Sequence, residues 1–176
     1  MLDIDLDALT RRLRRKPVFP EHGAHAVSLG TEAVELMLPH RDPMRLVDGI
    51  DAFDPDAALV LGHRVVAEDD PIFAGHFPDF PVYPGVLQLE MIGQIGLCLA
   101  WLLEHGVPGP DASAPPVDAR VVRVHHASFL GAVSPGDRLE LAGERVVDDP
   151  LCGVIAGQVR RGDAICSTCV LEVYFV

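Results

Sequence analysis

Basic residues are scarce in this chain of 176 residues, where Lys and Arg together number 14 against 26 for Asp and Glu. The formal net charge of −12 argues against nucleic acid as a partner, because binding to phosphate backbones depends on clustered Lys and Arg. Five of the 14 bases lie within Arg11–Lys16. The chain beyond residue 16 has 9 bases and 23 acids, a balance of −14.

Cysteine is also rare, and the spacing of its four residues fits no disulfide framework. A zinc site at the Cys166/Cys169 pair would need two further ligands at matching spacing, so we expect packed or free thiols. The N-terminus has acids where a secretory signal needs bases. The longest apolar run, residues 92–103, is interrupted by Gln94 and is shorter than a bilayer span. These features predict a cytoplasmic protein without membrane insertion.

Hydrophobic residues make up 49% of the chain, enough to bury a substantial core in one domain. Residues 1–30 are interpreted as an N-terminal extension, with a basic amphipathic helix over 2–16 and a loop over 17–30. Residues 31–176 are interpreted as the main domain. Its first predicted element is a short helix over 31–38, capped by Thr31.

The pattern of the main domain predicts the α+β class. An almost wholly apolar segment, residues 85–105, is predicted to be a helix that is buried on nearly every side. Residues 69–85 are too rich in Pro and Gly for regular structure. Strand-like segments joined by short turns predict an antiparallel sheet that wraps around the helix. These segments are 45–53, 57–67, 120–130, 137–147, 152–161 and 164–175.

Residues 73–94 contain the groups most suited to chemistry. His76, on a constrained loop, and Glu90, on the helix, are a natural base and acid pair. Pro84 and Gly85 open the helix, so free backbone N–H groups there suit an oxygen that gains negative charge. Because an isolated buried carboxylate is costly, we expect Glu90 to be paired with a polar group or to carry a proton.

Residues 75–94 read GHFPDFPVYPGVLQLEMIGQ and resemble the signature of the 3-hydroxyacyl-acyl-carrier-protein dehydratases of bacterial fatty-acid synthesis. A second similar block is LPHRDPMRLVD at residues 38–48. A third consists of Phe129 and the Ser134–Asp137 turn. The resemblance runs in the same order over roughly residues 31–176.

The resemblance implies a hot-dog fold in a homodimer, an acyl carrier protein as the substrate-bearing partner, and no cofactor. The active site would lie between subunits, with His76 of one subunit as base and Glu90 of the other as acid. The Gly85 N–H would hold the thioester oxygen, and the Val82 carbonyl would orient the imidazole.

The remaining candidate substrate-binding residues are Phe80, Tyr83 and Gln94. Phe80 and Tyr83 stand where the family usually has other residues, near its substrate tunnel. Gln94 lies one helical turn after Glu90 and could contact Glu90 or the substrate. Packing or solvation would equally account for Gln94.

Several alternatives stay open at this point. A hot-dog thioesterase, or a non-catalytic acyl-binding or scaffold subunit, would share the fold. His40 and Arg41 are interpreted as loop anchors, and His125 and His126 as structural residues. The bases of Arg11–Lys16 either dock an acidic carrier protein or only balance the dipole of a surface helix.

Overall fold

The structure, a computed structural model, describes residues 4–18, 25–109, 112–149 and 152–176. Its elements, in chain order, are helix α1 (Leu6–Arg15), strand β1 (His25–Leu29), helix α2 (Thr31–Met37), strands β2 (Gly49–Asp54) and β3 (Leu59–Val65), a 3₁₀ turn (Pro71–Ala74), helix α3 (Gly85–His105), and strands β4 (Ala119–Phe129), β5 (Arg138–Asp148), β6 (Cys152–Arg161) and β7 (Ala164–Phe175). The strands form one antiparallel sheet in the order β1-β2-β3-β5-β6-β7-β4.

Helix α3 packs against one face of this sheet and contacts β3, β5, β6, β7 and β4. Small residues let helix and sheet approach closely. A Cβ at Gly96 would lie 2.5 Å from Cδ1 of Ile155, and one at Gly157 would lie 2.6 Å from Cγ2 of Ile92. Real Cβ atoms essentially never lie so close to a neighbour, so a larger residue at either position would force the packed side chains to shift. The predicted α+β hot-dog architecture is confirmed.

Helix α3 extends beyond the apolar run of residues 92–103 at both ends. The helix has 21 residues and a mean hydropathy of 1.7 in its most apolar window, so by length and composition it could cross a membrane. The apolar run over residues 92–103, which by itself is shorter than a bilayer span, is the middle part of this longer helix. However, 61% of that window is buried inside the fold, as in the core helix of a sheet-wrapped domain.

Helix α1 covers part of the opposite face of the sheet. Leu9 and Leu13 pack there in a second apolar cluster with Val154, Ala156 and Val170. As predicted, acids start α1 and bases end it, and the Asp5 carboxylate accepts a hydrogen bond from the Ala8 N–H at 2.9 Å. The boundary at residue 30 between extension and main domain stays a prediction.

Three local predictions were wrong. Strand β1 lies within the predicted loop 17–30 and pairs with β2; residues 19–24 of that loop lie outside the described part. The N-cap of α2 is Gly30, and Thr31 is already helical. Strand β2 begins only at Gly49; the Met44 and Arg45 N–H groups donate to the Arg41 carbonyl at 2.8 and 3.0 Å, so the predicted start of the strand follows directly on a turn.

The described cysteines are free thiols, as expected. Cys166 and Cys169 lie in the same apolar core cluster, where burial raises the pKa of both, that of Cys169 to about 12. Neither is therefore a ready nucleophile.

Candidate active site

The loop between the 3₁₀ turn and α3 holds His76. The His76 N–H donates to the Ile72 carbonyl at 3.0 Å, and the Val82 N–H donates to the His76 carbonyl at 3.1 Å. The imidazole Nδ1 lies 2.7 Å from the Val82 carbonyl oxygen. Because a carbonyl can only accept, Nδ1 carries a hydrogen, so in the neutral imidazole Nε2 is the nitrogen with the lone pair. His76 is thus oriented as a proton acceptor through Nε2.

Helix α3 begins at Gly85, directly after Pro84, and the first N–H groups of a helix have no partner within it. The ring of Phe129 covers the Cα of Gly85 so closely that a Cβ would lie 2.7 Å from two ring carbons. Only glycine fits at this position without displacing that ring. The helix start can therefore present backbone donors and the positive end of its dipole to an oxygen.

A cleft of about 490 Å³ joins these two features. Its lining consists of His76, Val82, Tyr83, Gly85, Val86, Gln88, Phe129, Leu130, Gly131 and Ala132. The structure thus brings four predicted site residues, His76, Val82, Tyr83 and Gly85, to one cleft. Sequence reasoning missed Gln88, although it lies one helical turn after Gly85, which was the available signal.

Glu90 lies in a separate environment. Its side chain is 35% exposed, and its Oε1 accepts a hydrogen bond from Gln94 Nε2 at 2.9 Å. The Nε2 of His40 is 3.4 Å from the same oxygen. The carboxylate is therefore paired. No hydrogen bond or ion pair joins Glu90 to His76 within the described part of this single chain.

Gln94 fixes the position of Glu90 relative to the preceding loop. It is 1% exposed, its Oε1 accepts from the Leu46 N–H at 2.8 Å, and its Nε2 also donates to the Met44 carbonyl at 2.7 Å. Of the roles left open for Gln94, the contact to Glu90 is observed, and the side chain is packed in the interior and not solvated.

His40 was interpreted as a loop anchor, but the structure places it against Glu90. Nothing in the local pattern around His40 indicates this contact. The only sequence signal is that His40 lies in the LPHR block, which is similar to a block of the family. This similarity does not indicate which side chain His40 contacts.

Phe80 and Tyr83, both predicted to bind substrate, differ in how far they are exposed to solvent. Phe80 is 70% exposed and does not line the cleft of the single chain. Tyr83 is 2% exposed and packs edge-on against Phe73, with ring centroids 6.0 Å apart. Burial raises the pKa of the Tyr83 phenol, so its hydroxyl stays neutral at physiological pH.

The histidine pair of β4 makes local polar contacts. His125 Nε2 lies 2.8 Å from the Glu172 carboxylate on β7, and His126 Nε2 lies 3.0 Å from the Ser128 hydroxyl. Among the described residues, no three His, Cys, Asp or Glu side chains are grouped as metal ligands.

Comparison with known proteins places this geometry in a family context. A family model, the FabA-like domain, matches residues 38–166. The 3-hydroxyacyl-[acyl-carrier-protein] dehydratase FabZ of Anaeromyxobacter sp. is 41% identical over 123 residues, which cover 70% of this chain and 75% of the relative. FabZ of Campylobacter concisus is 34% identical over 136 residues, which cover 68% and 88% of the two chains.

Solved structures share the fold at low sequence identity. The dehydratase heterocomplex ApeI:P from Xenorhabdus doucetiae matches with a TM-score of 0.63 and 19% identity, over 82% of this chain and 91% of that chain. A putative thioesterase from Ralstonia eutropha matches with a TM-score of 0.50 and 16% identity, over 96% and 98%. The fold alone therefore does not distinguish a dehydratase from a thioesterase. Because the family model spans most of the chain and the FabZ relatives align over most of their own length, this protein belongs to the FabA-like family.

Proposed function

We propose that this chain is a lyase that removes water from a 3-hydroxyacyl thioester on an acyl carrier protein, giving the trans-2-enoyl thioester in fatty-acid or specialised acyl or polyketide synthesis. FabZ relatives named for this class of substrate support the proposal. The observation that carries it is the 2.7 Å hydrogen bond from His76 Nδ1 to the Val82 carbonyl. This bond leaves Nε2 as a base in the cleft that Gly85 also lines.

In the proposed elimination, His76 is the base, the Gly85 N–H is the donor to the thioester oxygen, and Glu90 is the acid. Nε2 of His76 removes a proton from C2 of the substrate, and the thioester oxygen gains negative charge against the Gly85 N–H. The electron pair then forms the C2–C3 double bond while the C3–O bond breaks. Protonated Glu90 donates its proton to the departing hydroxyl, which leaves as water. Transfer of the proton from His76 back to Glu90 restores the starting state, and no electrons leave the substrate.

Glu90 is assigned to the second subunit of a homodimer. Within one chain Glu90 faces His40 and Gln94, whereas His76 faces the cleft of Phe129. The surface around them is apolar and uncovered, with Phe77 54%, Phe80 70% and Val86 69% exposed. Such patches mark association surfaces, and a second copy placed here would bring its Glu90 towards His76.

Strand β4 supports the same assembly. It is the last strand at its edge of the sheet and pairs with β7. Val121, Val122 and Val124 on this strand are each about half exposed, at 52%, 58% and 50%. An exposed apolar edge strand is a template for pairing with another chain.

Product analysis tests the activity directly. The protein is incubated with 3-hydroxyacyl chains of several lengths on an acyl carrier protein, and the products are identified by mass spectrometry. A mass loss of one water, with the thioester intact, is expected. A free carrier thiol would instead establish the thioesterase, and no turnover at any length would establish a non-catalytic acyl-binding subunit.

The same assay tests the assigned residues. His76→Ala and Glu90→Ala are each expected to lower kcat by about 10²–10⁴-fold, the usual contribution of general acid–base groups. Because the two residues act as a unit, the double variant should be little worse than either single variant. Glu104→Ala, at an exposed position on the same helix, is the matched control and should keep full activity. Near-normal activity of either single variant would refute the mechanism.

A further inference from the structure

The helix α1 is fixed on the domain by its inward side. Leu13 is fully buried, and Gln158 of β6, which is also buried, forms hydrogen bonds with the C-terminal end of the helix. The Gln158 amide donates to the Leu13 and Lys16 carbonyls, and its Oε1 accepts from the Val18 N–H at 2.8 Å. Arg12 pairs with Glu144 of β5. The outward side of α1 therefore has a defined place on the molecule.

That outward side forms a basic groove, lined by Asp7, Thr10, Arg11, Arg14, Arg15 and Leu130. Its three arginines are exposed, and no ion pair is found for any of them in the part of the chain that the structure describes. Most other arginines are engaged; Arg45 and Arg64, for example, share Asp48. The basic groove thus holds positive charge that the fold itself does not use.

The basic groove lies next to the cleft that contains His76 and Gly85. Leu130, directly after β4, lines both. Helix α1, which carries the three arginines, also contacts β4. An anionic partner seated on α1 is therefore positioned to deliver an extended chain into the cleft.

Charge restricts where such a partner can bind. The chain beyond residue 16 carries −14, so the long-range field of the domain repels an acidic protein. We propose that the Arg11/Arg14/Arg15 face of α1 is the docking surface for carboxylates of the acidic carrier protein that brings the acyl chain. The inference rests on the proposed function and names the contact through which its substrate arrives.

The test compares one acyl chain on three carriers: the carrier protein, phosphopantetheine and pantetheine. The Arg11→Gln/Arg14→Gln/Arg15→Gln variant should lose about 10-fold or more in kcat/KM with the carrier-protein substrate, because steering acts on association. Both small substrates should be turned over as by the unmodified protein. The loss should shrink as salt is raised, since screening weakens the attraction in the unmodified protein.

The control variant Lys16→Gln/Arg138→Gln/Arg161→Gln removes the same charge from exposed positions that do not line the basic groove, and it should behave as the unmodified protein. An equal loss in this control would refute the proposal, because net charge alone would then explain the effect. A loss with phosphopantetheine equal to that with the carrier protein would refute it in favour of a phosphate site. Unchanged kcat/KM on all three substrates would also refute it.

A second measurement tests whether the same arginines bind a membrane surface instead of the carrier protein. The unmodified protein is mixed with phosphatidylserine vesicles and, separately, with the carrier protein lacking an acyl chain. Arginine-dependent binding to the carrier protein supports docking, whereas arginine-dependent binding to vesicles alone overturns it. Absence of dehydration with all three acyl substrates is a different result, because it rejects the proposed function.

Discussion

Gln88 and Gln94 both lie on α3 and are both almost fully buried, at 3% and 1% exposure, but their partners differ. Gln94 bonds to Met44, Leu46 and Glu90. The Oε1 of Gln88 has no hydrogen-bond partner among the described residues, although the side chain lines the cleft. An unpaired buried acceptor is costly in the free protein, so a substrate donor would satisfy it.

The same substitution at the two positions should therefore have opposite effects on stability. Gln94→Leu leaves a buried N–H and a buried carbonyl unpaired and should lower the free energy of unfolding by about 1–3 kcal/mol or more. Gln88→Leu removes an unpaired group and should leave that free energy unchanged or raise it. It should also raise KM about 2- to 10-fold through a lost substrate hydrogen bond. Denaturant titrations and steady-state kinetics check both; destabilisation by Gln88→Leu would contradict the interpretation.

Gly85 and Phe129 form a second pair that can be tested. A Cβ at Gly85 would lie 2.7 Å from the Phe129 ring, so Gly85→Ala should push the ring into the cleft and lower kcat/KM. Overpacking of this kind costs about 1–3 kcal/mol of stability. Phe129→Ala in the Gly85→Ala background should restore stability, as measured by thermal unfolding. A double variant no more stable than Gly85→Ala would show that the ring is not the obstacle.

At the scale of elements, long periodic segments were predictable and short ones were not. The apolar pattern of α3 is 21 residues long and begins at Pro-Gly, so both its extent and its start follow from local chemistry. Strand β1 has only five residues, of which none is fully buried, and its pairing with β2 gives it its structure. A strand of this kind carries no periodic signal of its own.

The attachment of α1 depends on one buried side chain and is testable. Gln158→Leu should leave the Leu13 and Lys16 carbonyls and the Val18 N–H without their partner, which weakens the docking of α1. Hydrogen exchange of residues 6–18 should become faster while α3 stays protected. Thr10→Ala, on the less buried side of α1, is the control. Unchanged exchange in Gln158→Leu would show that the apolar contacts alone hold the helix.

At the scale of the whole molecule, a shared active site predicts complementation. His76→Ala and Glu90→Ala proteins are each expected to be inactive. Their heterodimer keeps one site with both an intact His76 and an intact Glu90, so a mixture should recover up to about a quarter of the unmodified activity if exchange is random. Subunit exchange is verified by native mass spectrometry. With exchange demonstrated, no recovery would place both residues of a site in one chain.

The sequence by itself determined the central helix, the four C-terminal strands and the block from His76 to Gln94, because periodicity, turn residues and motif spacing are local properties. Only the tertiary structure decided that His40 meets Glu90, that β4 lies beside β7, and that the basic groove of α1 opens next to the cleft. Each of these joins segments far apart in the chain. Their meeting depends on how helix and sheet pack, and no local pattern of residues encodes that packing.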